Sequence, residues 1–352
     1  MRWLRTSRNV VLAVLATVLL VRALLPFAIQ RYVNGVLDRH ESYEGRIGDV
    51  DLALIRGAYE IEDVEILKRG GEVPVPLFAA PRLDLSVKWG ALFDGALVGE
   101  VALEQPQVNV VAGPTPDQQQ AGAEVDWRET VEDLFPLRID RFAVRDGSFH
   151  FRAFHTEPPV NVYLQHVHLV AENLTNSRDI SDDRVARVAL QAVPMNAGRL
   201  EARVALDPFA ESPDFDFDGQ VTGADLTQWN EFLRAYAGLD VQRGGFSVYA
   251  ELLAQEDRFE GYLKPFLRNV DILDFEEEVD EQGIFASLWE GVAGATQELF
   301  ENQPKDRSAT RIPLSGTVEN PEIGFWPTLG NVVRNAFLEA LVPRLEGSVG
   351  DR

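Results

Sequence analysis

The chain has 352 residues, with 33 lysines and arginines, 56 aspartates and glutamates, and a formal net charge of −23 at pH 7. This acidity argues against nucleic acid or an anionic lipid surface as the main partner, because both select basic protein faces. The absence of cysteine excludes a disulfide framework and thiol chemistry, and a hydrophobic content of 45% is typical of a folded protein.

The N-terminus carries an apolar stretch. Three arginines precede a run that extends from Val10 to Ile29 and is interrupted by Arg22. A stretch of about 20 residues crosses a hydrocarbon core of ~30 Å as a helix, so the pattern predicts a transmembrane helix with a cytoplasmic N-terminus. A cleaved signal peptide is the alternative, because the uncharged core Val10–Val21 is short. Both interpretations place the remaining chain outside the cytoplasm.

From Gly45 onward apolar residues alternate with polar ones, which indicates β-strands. About 14 such runs, separated by glycine-containing turns, predict a mainly β protein without a strict sequence repeat. Asp146-Gly147, between two alternating runs, predicts a β-hairpin.

Three later stretches have helical spacing. They lie at about 226–237, at about 284–300 and at 326–345, and each has an apolar stripe. The last helix, with Leu329, Val333, Phe337 and Leu341 on one side, is expected to cap the open end of the sheet; docking on a membrane or a partner is the alternative.

The expected architecture is an elongated, curved antiparallel sheet whose apolar face forms a groove. A groove of this kind outside the cytoplasm suits lipid acyl chains. Its predicted lining consists of Leu83, Leu85, Val87, Val101, Leu103, Phe149, Phe151, Phe215, Phe217, Phe246 and Val248.

Motifs for metal binding or catalysis are weak. The run from Asp214 to Gly219 begins like a calcium loop, but its interleaved phenylalanines favour a strand. Four of five histidines lie between His150 and His168, where a hairpin could pair His150 with His166, yet no cysteine or obvious carboxylate completes a zinc site. We find no nucleophile elbow, P-loop or zinc-protease motif, so neither an enzyme nor a cofactor nor a resident metal is predicted.

Several stretches resemble the AsmA-like proteins of Gram-negative envelopes, the family that includes AsmA, YhdP and TamB. The similar segments are 45–52 with 56–59, 81–87, 173–176, 261–265 and 311–321, together with 335–337, and they follow a single N-terminal apolar segment. The resemblance is closest to the shorter members that carry an uncharacterised domain. It implies an inner-membrane-anchored periplasmic protein with a hydrophobic β-groove, linked to outer-membrane biogenesis and glycerophospholipid movement. It brings no catalytic residues.

The expected organisation follows from the resemblance and the pattern together. It comprises a cytoplasmic tail (1–8), a transmembrane helix (9–29), an N-terminal AsmA-like β-groove part (30–112), a loop (113–126), a continuing groove (127–325) and a C-terminal amphipathic helix with its tail (326–352). The expected partners are the inner membrane, a phospholipid or other acyl-chain lipid, and other envelope proteins. A structural scaffold with a dry core is the alternative, while no residue spacing supports an envelope hydrolase.

Overall fold

The computed structural model describes residues 16, 20, 23–38, 42–53, 57–87, 98–120, 138–174, 186–207, 214–237, 239–275 and 311–317. The predicted helices at 284–300 and 326–345, with the capping residues Leu329, Val333, Phe337 and Leu341, lie outside these ranges. So does most of the predicted transmembrane helix 9–29. Of the helices that the structure describes, none combines the length and apolar character required to cross a bilayer.

The protein is mainly β, as the alternation predicts. Hydrogen bonds join 14 strands into one mixed sheet with the order β1-β3-β4-β5-β7-β8-β9-β10-β11-β12-β13-β14, while β2 pairs with β3 and β6 pairs with β4 and β7. The strands are β1 (Tyr43–Arg46), β2 (Val50–Ala53), β3 (Ala58–Lys68), β4 (Phe78–Val87), β5 (Val98–Glu104), β6 (Gln107–Ala112), β7 (Arg138–Ala153), β8 (Val160–Glu172), β9 (Ala186–Pro194), β10 (Arg199–Leu206), β11 (Phe215–Asp225), β12 (Leu239–Gln255), β13 (Arg258–Phe275) and β14 (Ile312–Thr317).

Two features of the sheet correct the sequence-based expectations. The pair β5–β7 is parallel, so the sheet is not wholly antiparallel. The predicted hairpin at Asp146-Gly147 is also wrong, because β7 continues through it. Asp146 does adopt a positive φ of 54°, as a hairpin residue would, but here it lies within one strand.

Within the described ranges, helical structure is found in a few segments. Helix α1 covers residues 23–37, so residues 30–37, which were assigned to the β-groove part, are helical. Helix α2 (Asn230–Ala237) follows the 3-10 turn Leu226–Trp229 in the stretch where helical spacing was noted. A second 3-10 turn lies at Pro116–Gln118. Asp225 caps the turn Leu226–Trp229, since its Oδ1 accepts a hydrogen bond of 3.0 Å from Thr227 N.

The chain divides into two compact units, Met1–Gly147 and Ser148–Arg352, and the boundary falls within β7. Among the described residues of unit 1, α1 packs against strands β2 to β5 in a buried apolar cluster. The described part of unit 2 contains a cluster centred on β11 to β14 and another where α2 meets β12.

Candidate functional site

The apolar residues of unit 1 form two rows that cross the sheet. One row runs Val50, Ile61, Leu83, Leu103, Val144, and the other runs Leu52, Tyr59, Leu85, Val101, Phe142. Period-two alternation places every member on one face because each strand pairs in register with the next. Four predicted lining residues, Leu83, Leu85, Val101 and Leu103, therefore lie on a common face. Burial on this face raises the pKa of Tyr59 to about 12.

Helix α1 covers this face. Leu25, Ile29, Val33 and Leu37 follow one another at intervals of four residues, which places them along one side of the helix, and all pack into the cluster. Leu83, Leu85, Val101 and Leu103 are at most 8% exposed. In unit 1 these four predicted lining residues therefore form a core beneath a helix, whereas Val87 is half-buried at the strand end.

Two amides hold α1 in place. Gln30 Nε2 donates a hydrogen bond of 2.7 Å to Gly48 O, and Asn34 Oδ1 accepts one of 2.8 Å from Ile47 N. The two side chains are one helical turn apart and satisfy neighbouring backbone groups between β1 and β2. Gly45 lets the helix approach closely, because a Cβ there would lie 2.8 Å from Leu37 Cβ.

Unit 2 has a longer apolar face. One cross-strand row runs Ala171, Val188, Val204, Phe217, Leu252, Gly261, Leu314, and a parallel row contains Leu206, Phe215, Ala254 and Phe259. Val188, Val204 and Phe217 are only half-buried, whereas Leu252 and Leu314 are buried. The predicted lining residues Phe215 and Phe217 belong to this face.

The two predicted lining residues on β12, Phe246 and Val248, lie nearer to α2. Phe246 is buried and contacts Trp229 edge to face, with ring centroids 5.5 Å apart, while Val248 is half-buried between the two clusters. Asn230 fixes α2 to the sheet, since its Nδ2 donates to Val241 O at 2.8 Å and its Oδ1 accepts from Val241 N at 2.9 Å. Part of the face is therefore covered by α2.

Phe149 and Phe151 flank His150 on β7. The Nδ1 atom of His150 lies 3.0 Å from Asn161 Oδ1, and its ring lies 5.5 Å from that of Tyr163. Strand alternation places the two phenylalanines on the face opposite His150, where Phe149 is 38% exposed. Burial, together with the nearby Arg152 guanidinium, lowers the pKa of His150, against a smaller raising effect of the Asn161 hydrogen bond.

The opposite face of the sheet is polar. In unit 1 Arg82 pairs with Glu60 at 2.9 Å, and Arg145 pairs with Glu104. In unit 2 Tyr262 donates a hydrogen bond of 2.6 Å to Glu251, which raises the pKa of the tyrosine. Each unit therefore separates charge from apolar surface across the thickness of the sheet.

The weaker motifs resolve as structural features. The run from Asp214 to Gly219 enters strand β11, with Phe215 buried and Asp216 and Asp218 exposed, so its interpretation as a strand is confirmed. His150 contacts the side chains of Asn161 and Tyr163, so its partners differ from the expected His166. Within the described ranges no three or more histidines and carboxylates converge in a way that could hold a metal ion.

Sequence reasoning missed two elements of these faces. The residues of α1 that cover unit 1 were assigned to the transmembrane helix (up to residue 29) and to the β-groove part (from residue 30), and their packing against a sheet was not predicted. The sequence analysis also did not predict a cleft in unit 2, where register shifts in β11 and β12 open the polar face.

A scan against protein-family models gives no match for this chain, and a search of the curated proteins gives none either.

Proposed function

We propose that the protein is a non-enzymatic, AsmA-like periplasmic protein, anchored in a bacterial inner membrane, that binds lipid acyl chains on the apolar face of unit 2. In this role it supports outer-membrane and envelope biogenesis. The observation that carries the proposal is the half-buried state of Val188, Val204 and Phe217, together with the 38% exposure of Phe149. A face of this kind retains apolar surface that a bound chain can remove from water.

The dimensions of the face suit an acyl chain. The row from Val188 to Leu314 crosses β9 to β14, which at about 4.8 Å per strand spacing is about 24 Å. One lipid tail extends over about half of a ~30 Å hydrocarbon core, so a single tail fits within the row. Each methylene removed from water contributes about 0.8 kcal/mol, which makes sequestration favourable without any catalytic group.

Helix α1 supports the anchoring part of the proposal. Its side remote from the sheet carries Leu24 and Phe27, which are 59% and 72% exposed, and Leu20, three residues before α1, is 59% exposed. These residues continue the apolar run that begins at Val10. An apolar surface of this kind on a helix that also packs against unit 1 suits insertion into a bilayer next to the sheet.

Site-specific photocrosslinking tests lipid binding. A photoreactive phenylalanine analogue is placed at Val204 or Phe217 in the full chain, expressed in a Gram-negative envelope. The matched controls are Arg203 and Asp218, which neighbour these positions on the same strands but lie on the polar face. After illumination, mass spectrometry should find phospholipid attached at the first two positions and none at the controls. Equal labelling on both faces, or none, contradicts the proposal.

The alternative is a structural scaffold with a dry core. The observation that favours it is the burial of Leu85 and Val101 beneath α1 in unit 1. It predicts that the crosslinker at Val204 and Phe217 attaches only to protein, and that lipid extraction of the purified full chain returns no phospholipid at a defined stoichiometry. Attached lipid at these positions excludes the scaffold interpretation for unit 2.

A further inference from the structure

A cleft of about 840 Å³ opens in unit 2 where β11 meets the 3-10 turn Leu226–Trp229. The strand register shifts between Val221 and Ala224, and again along β12 before Gly245, so regular pairing is interrupted on both sides of the cleft. Gly223 has a φ of 67° and Gly244 a φ of 157°, conformations that side-chain-bearing residues rarely adopt. Three lining residues, Gly223, Gly244 and Gly245, therefore present only backbone to the cleft.

The charges that line the cleft are mainly positive. Arg243 and Arg268 contribute guanidinium groups, and Asp225 contributes the one lining carboxylate among the described residues. One oxygen of that carboxylate, Oδ1, accepts hydrogen bonds from both N and Oγ1 of Thr227. A cationic lining is unusual in a chain with a net charge of −23.

The two arginines are available to a ligand. Arg243 pairs with Asp271 at 3.3 Å, but the two side chains are 73% and 46% exposed, so water screens the pair. Arg268 is exposed and has no ion pair within the described residues. It lies opposite Gly245 in the β12–β13 register, where no side chain from the facing residue fills the space beside it.

Hydroxyl groups complete the lining. Thr222, Thr227, Ser247 and Tyr249 border the same cleft, and Ser247 Oγ accepts a hydrogen bond of 3.2 Å from Gly223 N. Guanidinium and hydroxyl groups beside accessible backbone are the donors that proteins use for phosphate oxygens. The volume is within the range of small-molecule sites.

We propose that this cleft binds a small phosphate-bearing anion, with Arg268 as its main charged contact. The inference does not rest on the proposed function, because the cleft lies on the polar face of β12 and the acyl-chain rows lie on the other. The phosphate can belong to a soluble phosphate ester or to a lipid headgroup, and the two sources separate experimentally.

The test uses the full chain in neutral detergent micelles. Isothermal titration measures binding of inorganic phosphate and glycerol 3-phosphate at constant ionic strength, with chloride as the comparison anion. A second arm adds phosphatidic acid to the micelles. Three variants are compared with the wild type: Arg268→Gln removes the charge, Gly245→Val fills the cleft, and Arg258→Gln removes an exposed charge from the distant end of the same strand. A Cβ at Gly245 would meet only Ala224 O, at 3.6 Å, so the β-carbon itself causes no strain.

We expect saturable phosphate binding that is at least about tenfold weaker in Arg268→Gln and Gly245→Val and unchanged in Arg258→Gln. Binding of both soluble probes identifies a soluble ester; Arg268-dependent binding of phosphatidic acid alone identifies a headgroup. Absence of saturable binding to every probe, or equal weakening by Arg258→Gln, overturns the proposal. Crosslinking at Val204 does not involve Arg268, so the two proposals can fail separately.

Discussion

The packing of α1 on unit 1 predicts opposite effects for the same substitution at two glycines. Gly35 lies on the exposed side of α1 with no atom within 4 Å of an added Cβ, whereas the Cβ of Gly45→Ala would lie 2.8 Å from Leu37 Cβ. Carbon atoms pack at about 3.5–4.0 Å, so Gly45→Ala must move α1 away from β1 by about 1 Å.

The magnitudes follow from these two environments. Gly35→Ala reduces the conformational entropy of the unfolded chain and should stabilise the helix by about 0.5–1 kcal/mol. Gly45→Ala overpacks a helix–strand contact and should cost about 1–3 kcal/mol. The two variants should therefore differ by about 1.5–4 kcal/mol in the local free energy of opening.

Hydrogen-exchange mass spectrometry of the full chain in micelles measures this difference on peptides that cover residues 23–38. Exchange in α1 should slow in Gly35→Ala and accelerate in Gly45→Ala, while peptides from β11 to β13 exchange as in the wild type. Equal exchange of α1 in the two variants would refute the packing of Leu37 against β1.

Three further substitutions should have measurable effects on stability. Leu85→Ala removes a fully buried side chain from the unit 1 core and should lower the free energy of unfolding by about 2–5 kcal/mol in urea titrations. Asn230→Ala removes both hydrogen bonds to Val241. It should lower the free energy of local unfolding of α2 by about 1–3 kcal/mol, which hydrogen exchange detects as faster exchange in α2. Because the pKa of His150 is lowered in the folded state, the unfolded state binds more protons at acidic pH. The stability contributed by this group is therefore present above its ordinary pKa of 6.5 and is lost as the pH falls. Between pH 7.5 and pH 5 the thermal midpoint of His150→Gln should therefore decrease less than that of the wild type.

The first two of these variants each have a neighbouring control. Ser86→Ala, on the other face of β4, and Glu231→Ala, on the exposed side of α2, should each change stability by less than about 0.5 kcal/mol. A control that matches its test variant would contradict the structural role assigned to that residue.

Much of the local structure could be predicted from residue alternation. Leu83, Leu85, Val101 and Leu103 were expected on one strand face, and the structure aligns them in cross-strand rows because each pairing keeps the parity of the strand. Phe215 and Phe217 alternate with carboxylates for the same reason. These predictions succeed because the direction of a side chain along a strand is a local property.

The predictions failed where the same local sequence pattern is compatible with more than one structure. Asp146 takes the positive φ that a hairpin needs, but β7 continues, since pairing of residue 145 with Glu104 of β5 holds the strand extended. The spacing of residues 29, 33 and 37 permits either a lipid-facing or a sheet-facing helix. The neighbouring strand decides between such options, and it is distant in sequence.

The sequence by itself determined that the protein is mainly β, with apolar and charged residues on opposite strand faces, because those properties depend on a period of two residues. Tertiary structure alone decided which apolar face is covered. In unit 1 α1 covers the buried residues Leu83, Leu85, Val101 and Leu103, while Val188, Val204 and Phe217 remain half-buried in unit 2. The cleft beside Arg268 likewise arises from register shifts between strands, which are determined by pairing over long sequence separations rather than by any one segment.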